Sequence, residues 1–271
     1  MAAMNADLSL LQFTDTHLST DEDGALRGVT TRPALRAVLA HARAFHWKAE
    51  ALLLTGDLVH DDAGGYAAVR EEVSVLGKPV YCLPGNHDDA AVLARELAGA
   101  PFQVGGHADF GAWRVVMLDS SVPGQAEGRL AEQELARLDA ALSGSGGRHV
   151  LVCLHHHPVP TGSRWLDTVP LVNANELFAV TDAHPNVRAM AWGHVHQAFE
   201  SRRRGVRLFG TPSTCAQFLP GAEHFALDAA PPGYRRFSLH ADGTIDSEVL
   251  RVALPAHLVE DCDYLGRTAV G

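Results

Sequence analysis

Five apolar runs of this 271-residue chain stop at clusters of Asp, Asn and His. LSLLQF (8–13) runs into TDTH, ALLL (51–54) into TGDLVHDD and VYCL (80–83) into PGNHDD. HVLVCL (149–154) runs into HHHPVP, and VRAMAW (187–192) into GHVH. Short apolar runs closed by turn residues predict buried strands. Between them lie segments with apolar residues at helical spacing. One starts at Thr30, Thr31 and Pro33 and carries Leu35, Val38, Leu39, Ala42 and Phe45. A second carries Tyr66, Val69, Val73 and Leu76 and closes at Gly77, and a third carries Leu135, Leu138 and Leu142. Strands alternating with helices predict an α/β fold, and in open α/β sheets the loops at the carboxyl ends of strands converge on one crevice. The pattern therefore predicts that Asp15, His17, Asp57, Asn86, His87, the triple histidine 155–157, His194 and His196 meet at one place.

Further strand-like runs lie at 113–118, 206–210, 234–240 and 245–252; the last three make the C-terminal third strand-rich, and the final two alternate as half-exposed antiparallel strands do. SGSGG (143–147) is too short for a domain linker, and a strand follows it at once. The reading is one domain over 1–252 and a C-terminal tail over 253–271. Hydrophobic residues make up 46%, enough for a large core without disulfides. The four cysteines form no CxxC pair, and Cys82 and Cys153 fall inside apolar runs, so free buried thiols in a reducing compartment are expected. The first residues lack a basic start and a long apolar stretch, and no run is long enough to span a bilayer, so a cytoplasmic protein is expected. The net charge of -10 argues against binding a nucleic-acid backbone or an anionic membrane. A small anionic substrate is still allowed, because bound metal reverses the local sign.

Taken singly, each cluster has an ordinary reading. G-D is a turn pair, and G-N-H-D is also a turn that opens a helix, with Asp88 or Asp89 as its cap. Asp61 and Asp62 are read as caps too, and His60 as an ordinary loop residue. G-H-x-H says more: in an extended chain residues i and i+2 point the same way, so His194 and His196 can face one ion. The combined donors are oxygen and nitrogen without thiolate, which suits Mn, Fe or Zn. The triple histidine is either a polar turn before Pro158 or one ligand with two neighbours.

The motifs D-x-H, G-D, G-N-H-D, a lone H and G-H-x-H, in this order, resemble those of the calcineurin-like metallophosphoesterases. The segments TDTHL, HHHPVPTGSRWLD, GHVHQ, TPSTCAQFLPG and HADGT resemble more narrowly the bacterial class III cyclic-nucleotide phosphodiesterases. That resemblance implies a four-layer α-β-β-α sandwich with a dinuclear metal site at strand ends. It implies one metal on Asp15, His17, Asp57 and His196 and a second on Asp57, Asn86, His156 and His194. His156 follows from the family's H-x-P register, with His155 as the alternative; strand alternation would turn His155 and His157 away. Two divalent or trivalent transition metals are implied, Fe and Mn ahead of Zn. The implied reaction is attack of a metal-bridging hydroxide on the phosphodiester of 3′,5′-cyclic AMP, giving 5′-AMP. His87, uncoordinated, aids the leaving group, and His17, Asp57, Asn86, His87 and His196 contact the substrate. The alternatives are a broader phosphodiesterase acting on glycerophosphodiesters or 2′,3′-cyclic nucleotides, and a metal-free scaffold. A small-molecule partner and a homodimer are the expected associations. The segments 159–173 and 211–221 are expected to rim the site. Trp165 is read first as a packed loop anchor and second as a stacking surface.

Overall fold

The computed structural model describes residues 7–258. Most of the expected tail, from residue 259 on, lies outside the described residues, as does Cys262. In chain order come β1 (Leu8–Phe13), a hairpin of β2 (Ala25–Leu26) and β3 (Val29–Thr30), α1 (Thr31–His46), β4 (Ala51–Thr55), α2 (Gly65–Ser74) and β5 (Val80–Leu83). Then follow α3 (Ala90–Glu96), β6 (Phe102–Val104), β7 (Gly106–Phe110), β8 (Trp113–Met117), α4 (Glu132–Ser143) and β9 (His149–Cys153). The last part holds α5 (Ala174–Asp182), β10 (Val187–Trp192), β11 (Phe199–Arg203), β12 (Val206–Gly210), β13 (Gln217–Phe218), β14 (Leu227–Asp228), β15 (Gly233–Leu239) and β16 (Ile245–Arg251).

Two six-stranded sheets result, ordered β16-β15-β1-β4-β5-β6 and β11-β12-β10-β9-β8-β7. Strands β1, β4, β5 and β6 are parallel, as are β8, β9, β10 and β12; antiparallel strands flank them, β15 and β16 on one side of the first sheet and β11 and β7 at the two edges of the second. The continuous apolar runs follow from burial on both faces. Along β4, Leu52 and Leu54 pack under α1 and α2 with Leu35, Val38 and Val69, while Ala51 and Leu53 face the other sheet. That inter-sheet core holds Leu10, Trp113, Val115, Leu151, Ala191, Phe209 and Phe237. A further cluster packs Leu138, Leu142 and Leu177 of α4 and α5 on Val150, Val152 and Met190. The layers are thus helix, sheet, sheet, helix.

The sequence pattern missed β7 and β11. Both are edge strands, and β11 (FESRR) is mostly charged, so neither shows an apolar signature. Of the four aspartates read as caps, Asp89 caps α3 by accepting from the amides of Ala91 and Val92. Asp88 is instead half-buried, accepting from the amides of Leu58 and Gly85 and from the Tyr66 hydroxyl.

Candidate metal centre

Each of the five donor clusters lies just beyond a strand's carboxyl end, three on the first sheet and two on the second, so the site sits where the sheets' ends meet. The loops are laced together. The Asp15 amide donates to the Gly56 carbonyl and that of His17 to the Asp57 carbonyl, both at 2.9 Å. The backbone is also forced. Asp15, His17, Asp57, His194 and His196 all adopt positive φ, between 45° and 66°. For residues with a Cβ this left-handed region costs roughly 1–2 kcal/mol each, so the surrounding hydrogen bonds must impose it. Such strain concentrated on five donors marks a functional site.

Two groups of donor atoms result. Nε2 of His17 lies 3.2 Å from Nε2 of His196, and Nε2 of His196 lies 3.2 Å from Oδ1 of Asp15. In the second, Nδ1 of His194 lies 2.9 Å from Oδ1 of Asn86, and the ring donors of His155, His156 and His194 lie within 4.8 Å of one another. Asp57 stands between the groups, its Oδ2 3.7 Å from Nε2 of His17 and 3.3 Å from Nε2 of His155. Its Oδ1 accepts from the His87 amide at 2.9 Å. A Cβ on Gly85 would collide with that Oδ1, which explains the glycine.

Strand alternation does not carry past Cys153, where β9 ends. The expectation that His155 points away is therefore corrected. Its Nδ1 donates to the Thr55 carbonyl at 2.8 Å, and its Nε2 faces Asp57 without hydrogen-bond alignment. His156 lies against Gly128, with Nδ1 2.8 Å from the Ser120 hydroxyl. His157 is buried rather than at a rim, its ring stacked on that of His194 at 5.6 Å and its Nε2 3.6 Å from Asp167.

The residues fit a metal. The Nε2 atoms of His155 and His156 are buried without a hydrogen-bond partner, as ligand nitrogens require. The other nitrogen of His155 and of His196 is anchored on a backbone carbonyl, that of Thr55 and of Ala216 at 2.7 Å, which orients the free nitrogen. Burial holds His17, His156 and His194 well below the usual imidazole range, so they are neutral. Burial also lowers His155, but the charges of Asp57 and Asp15 outweigh it and raise it to about 9. Burial resists ionisation of Asp57, yet the facing His155 and His17 hold its carboxyl well below the usual carboxylate range.

His87 sits at the mouth of the crevice, its side chain 31% exposed, with Nδ1 3.0 Å from Oδ2 of Asp61. Asp61 thus grips His87 rather than capping a helix. His60, read as an ordinary loop residue, has its Nδ1 3.1 Å from Nδ1 of His17, and its ring 4.6 Å from that of His87. Only its place three residues after Asp57 on the same loop hints at this. Trp165 packs edge-on against Phe218 and Phe225 and also lines a cavity of about 620 Å³ that includes His17, Asp57, Asn86 and His194. Among the described residues no helix is long and apolar enough to cross a membrane.

The family model for calcineurin-like phosphoesterases matches residues 8–198. The chain is 38% identical over 253 residues to the 3′,5′-cyclic adenosine monophosphate phosphodiesterase CpdA of Pseudomonas aeruginosa, covering 92% of each chain. It is 39% identical over 253 residues to the protein of that name in Escherichia coli K12, covering 93% of this chain and 92% of the other. The 3′,5′-cyclic-nucleotide phosphodiesterase alr5338 of Nostoc is 35% identical over 246 residues, covering 90% and 92%. Among solved structures, a dimetal phosphatase from Danio rerio superposes with a TM-score of 0.64 at 15% identity, covering 91% of this chain and 99% of that one. The purple acid phosphatase PPD1 from yellow lupin does so at 0.62 and 12%, covering 91% and 54%. These two share the fold.

Proposed function

Because the chain belongs to the calcineurin-like phosphoesterase family, we propose that it is a metal-dependent hydrolase that cleaves the phosphodiester of 3′,5′-cyclic AMP to 5′-AMP. The observation that carries this is the pair of donor groups sharing Asp57 at the meeting of five strand-end loops. The names borne by relatives alike over nine-tenths of the chain supply the substrate.

One metal position would be held by Asp15, His17, Asp57 and His196. The second would be held by Asp57, Asn86, His194 and His155, the last replacing His156 because its free Nε2 faces the shared carboxylate. Oxygen and imidazole donors suit Fe, Mn or Zn. When bound, such a metal pair supplies Lewis-acid activation of water and of the phosphoryl oxygens. The protein's own groups do the rest. The carbonyls of Thr55 and Ala216 fix two imidazoles, and the amide of His87 holds Asp57. Asp61 fixes His87 through Nδ1, leaving Nε2 as the ring atom that protonates the departing ribose oxygen. The buried free thiols of Cys82, Cys153 and Cys215, whose pKa burial raises, fit a reducing, cytoplasmic setting.

The test is elemental analysis with turnover of cyclic AMP, 2′,3′-cyclic AMP, glycerophosphodiesters and bis-p-nitrophenyl phosphate. Metal-loaded protein that cleaves the last but not cyclic AMP would remove the substrate assignment.

A further inference from the structure

Strands β2 and β3 pair Leu26 with Val29, leaving a two-residue loop of Arg27 and Gly28. Both loop residues have positive φ, 50° and 81°. Mirror-image hairpin turns require this, and Asn, Asp or Gly normally fill the first position. The β11–β12 hairpin carries the same Arg-Gly turn, Arg204 and Gly205 at 48° and 87°, so it is the place of its tip, not its backbone, that sets Arg27 apart. The tip reaches the crevice. Ala25, Leu26 and Arg27 line the same cavity of about 620 Å³ as the donors of the metal centre, with Trp165 and Phe218 on its wall.

The Arg27 guanidinium lies 4.9 Å over the ring of Phe225, which packs edge-on against Trp165 and Phe218. Phe218 in turn stacks on His196 at 4.1 Å, so the aromatic wall runs from the metal donors to the hairpin. Among the described residues Arg27 makes no ion pair, although Asp21, Glu22 and Asp23 precede it. Glu22 is engaged by Arg36, and Asp21 accepts from the Asp23 amide. Arg27 is thus an exposed cation with free donors, at the mouth of a crevice in an acidic protein.

We infer that Arg27 is a specificity-determining residue, holding the nucleoside end of the substrate at the Phe225–Trp165–Phe218 wall while the Asp57-centred donors take the phosphodiester. The inference rests on the cyclic-nucleotide reading proposed above. A guanidinium offers five donors and no acceptor, and its plane lies flat on an aromatic face while its edge donors stay free. A purine base presents ring-nitrogen acceptors and a π face; the one donor of the wall itself is the buried indole N–H of Trp165, so Arg27 supplies the exposed donors that can meet those acceptors. The phosphodiester has its partners deeper in the site, so the base is the part left for Arg27.

The experiment compares kcat and KM of the wild type, R27M, R27K and R27N on cyclic AMP and on bis-p-nitrophenyl phosphate, which has no nucleoside, at matched metal content. R27M should raise KM for cyclic AMP about tenfold, as expected for losing one hydrogen bond to a charged group. Its kcat, and kcat/KM on bis-p-nitrophenyl phosphate, should stay within about twofold, a margin well under that tenfold loss. R27K keeps the charge but not the plane and should not restore KM. R27N suits positive φ, so it repairs the hairpin without restoring the contact, and its KM should stay raised. Equal losses on both substrates, an unchanged KM in R27M, or rescue by R27K or R27N would each overturn the inference. Wild type that cleaves bis-p-nitrophenyl phosphate but not cyclic AMP would overturn the cyclic-nucleotide reading and this inference together. An active wild type with an unaffected R27M overturns the role of Arg27 alone.

Discussion

Asp57 is the residue on which both donor groups depend. One carboxylate oxygen faces His17 and His155, and the other holds the His87 amide. Asp57→Ala should therefore empty both metal positions, and elemental analysis showing two equivalents in that variant would dismiss the shared-ligand assignment. The triple histidine divides by geometry. His155→Ala should lose one equivalent, whereas His156→Ala should retain two, because of the three histidines only His155 has its Nε2 against Asp57, at 3.3 Å. Protons report the same point. A ligand nitrogen must be neutral, and among the second group only His155 has a raised value, about 9 in the metal-free site. It carries a proton below that pH and must release it on metal uptake, so affinity should weaken as pH falls from about 9 towards 7. Chelator competition reads that slope, and His155→Ala should flatten it, since His156 and His194 are already neutral there. In the proposed reaction His87 acts later. A ribose alkoxide needs a proton to leave and p-nitrophenolate does not, so His87→Ala should lose roughly 10²–10⁴-fold on cyclic AMP and far less on bis-p-nitrophenyl phosphate. Equal losses at unchanged metal content would assign it charge stabilisation instead.

Among the structural elements, the strand-end loops matter more than the strands. Five donors sit at positive φ because the loop after β1 is hydrogen-bonded to the loop after β4, and because Gly85 and Gly193 leave room for the carboxylates. A Cβ on Gly193 would come within 2.8 Å of Oδ2 of Asp15, and one on Gly85 within 2.8 Å of Cε1 of His155. Gly85→Ala should thus displace Asp57 or His155 at a cost of about 1–3 kcal/mol. Weakened metal binding with an unchanged circular-dichroism spectrum is expected, and wild-type metal affinity would show that the loop yields without consequence. How much of this was legible is clear at the same scale. The D-x-H and G-H-x-H spacings named four donors, but positive φ at the donors themselves leaves no trace in composition or periodicity. Edge strands β7 and β11 were invisible because nothing apolar covers their outer faces.

Over the whole molecule, the site joins the carboxyl ends of two sheets that otherwise meet through the core around Leu53, Leu151 and Phe237. Metal bound there stabilises the folded chain by about 4 kcal/mol when its concentration is a thousandfold above Kd. For a chain of this size chelation should lower Tm on the order of 10 °C. Calorimetry with and without chelator measures it, and an unchanged Tm would mean that metal does not tie the sheets together.

The sequence by itself determined the alternation of strands and helices and the identities of the donors. It also determined that the donors share a destination, because apolar periodicity is a local property and strand ends in an α/β fold point one way. Tertiary structure alone decided which nitrogen faces which carboxylate. Past Cys153 the backbone leaves the strand and its period of two, so His155 turns inward by virtue of the Thr55 carbonyl, a contact from another sheet. It also decided that His60 meets His17 and that Arg27 lies over Phe225, since each pair is separated by long stretches of chain and only the packing of loops brings them together.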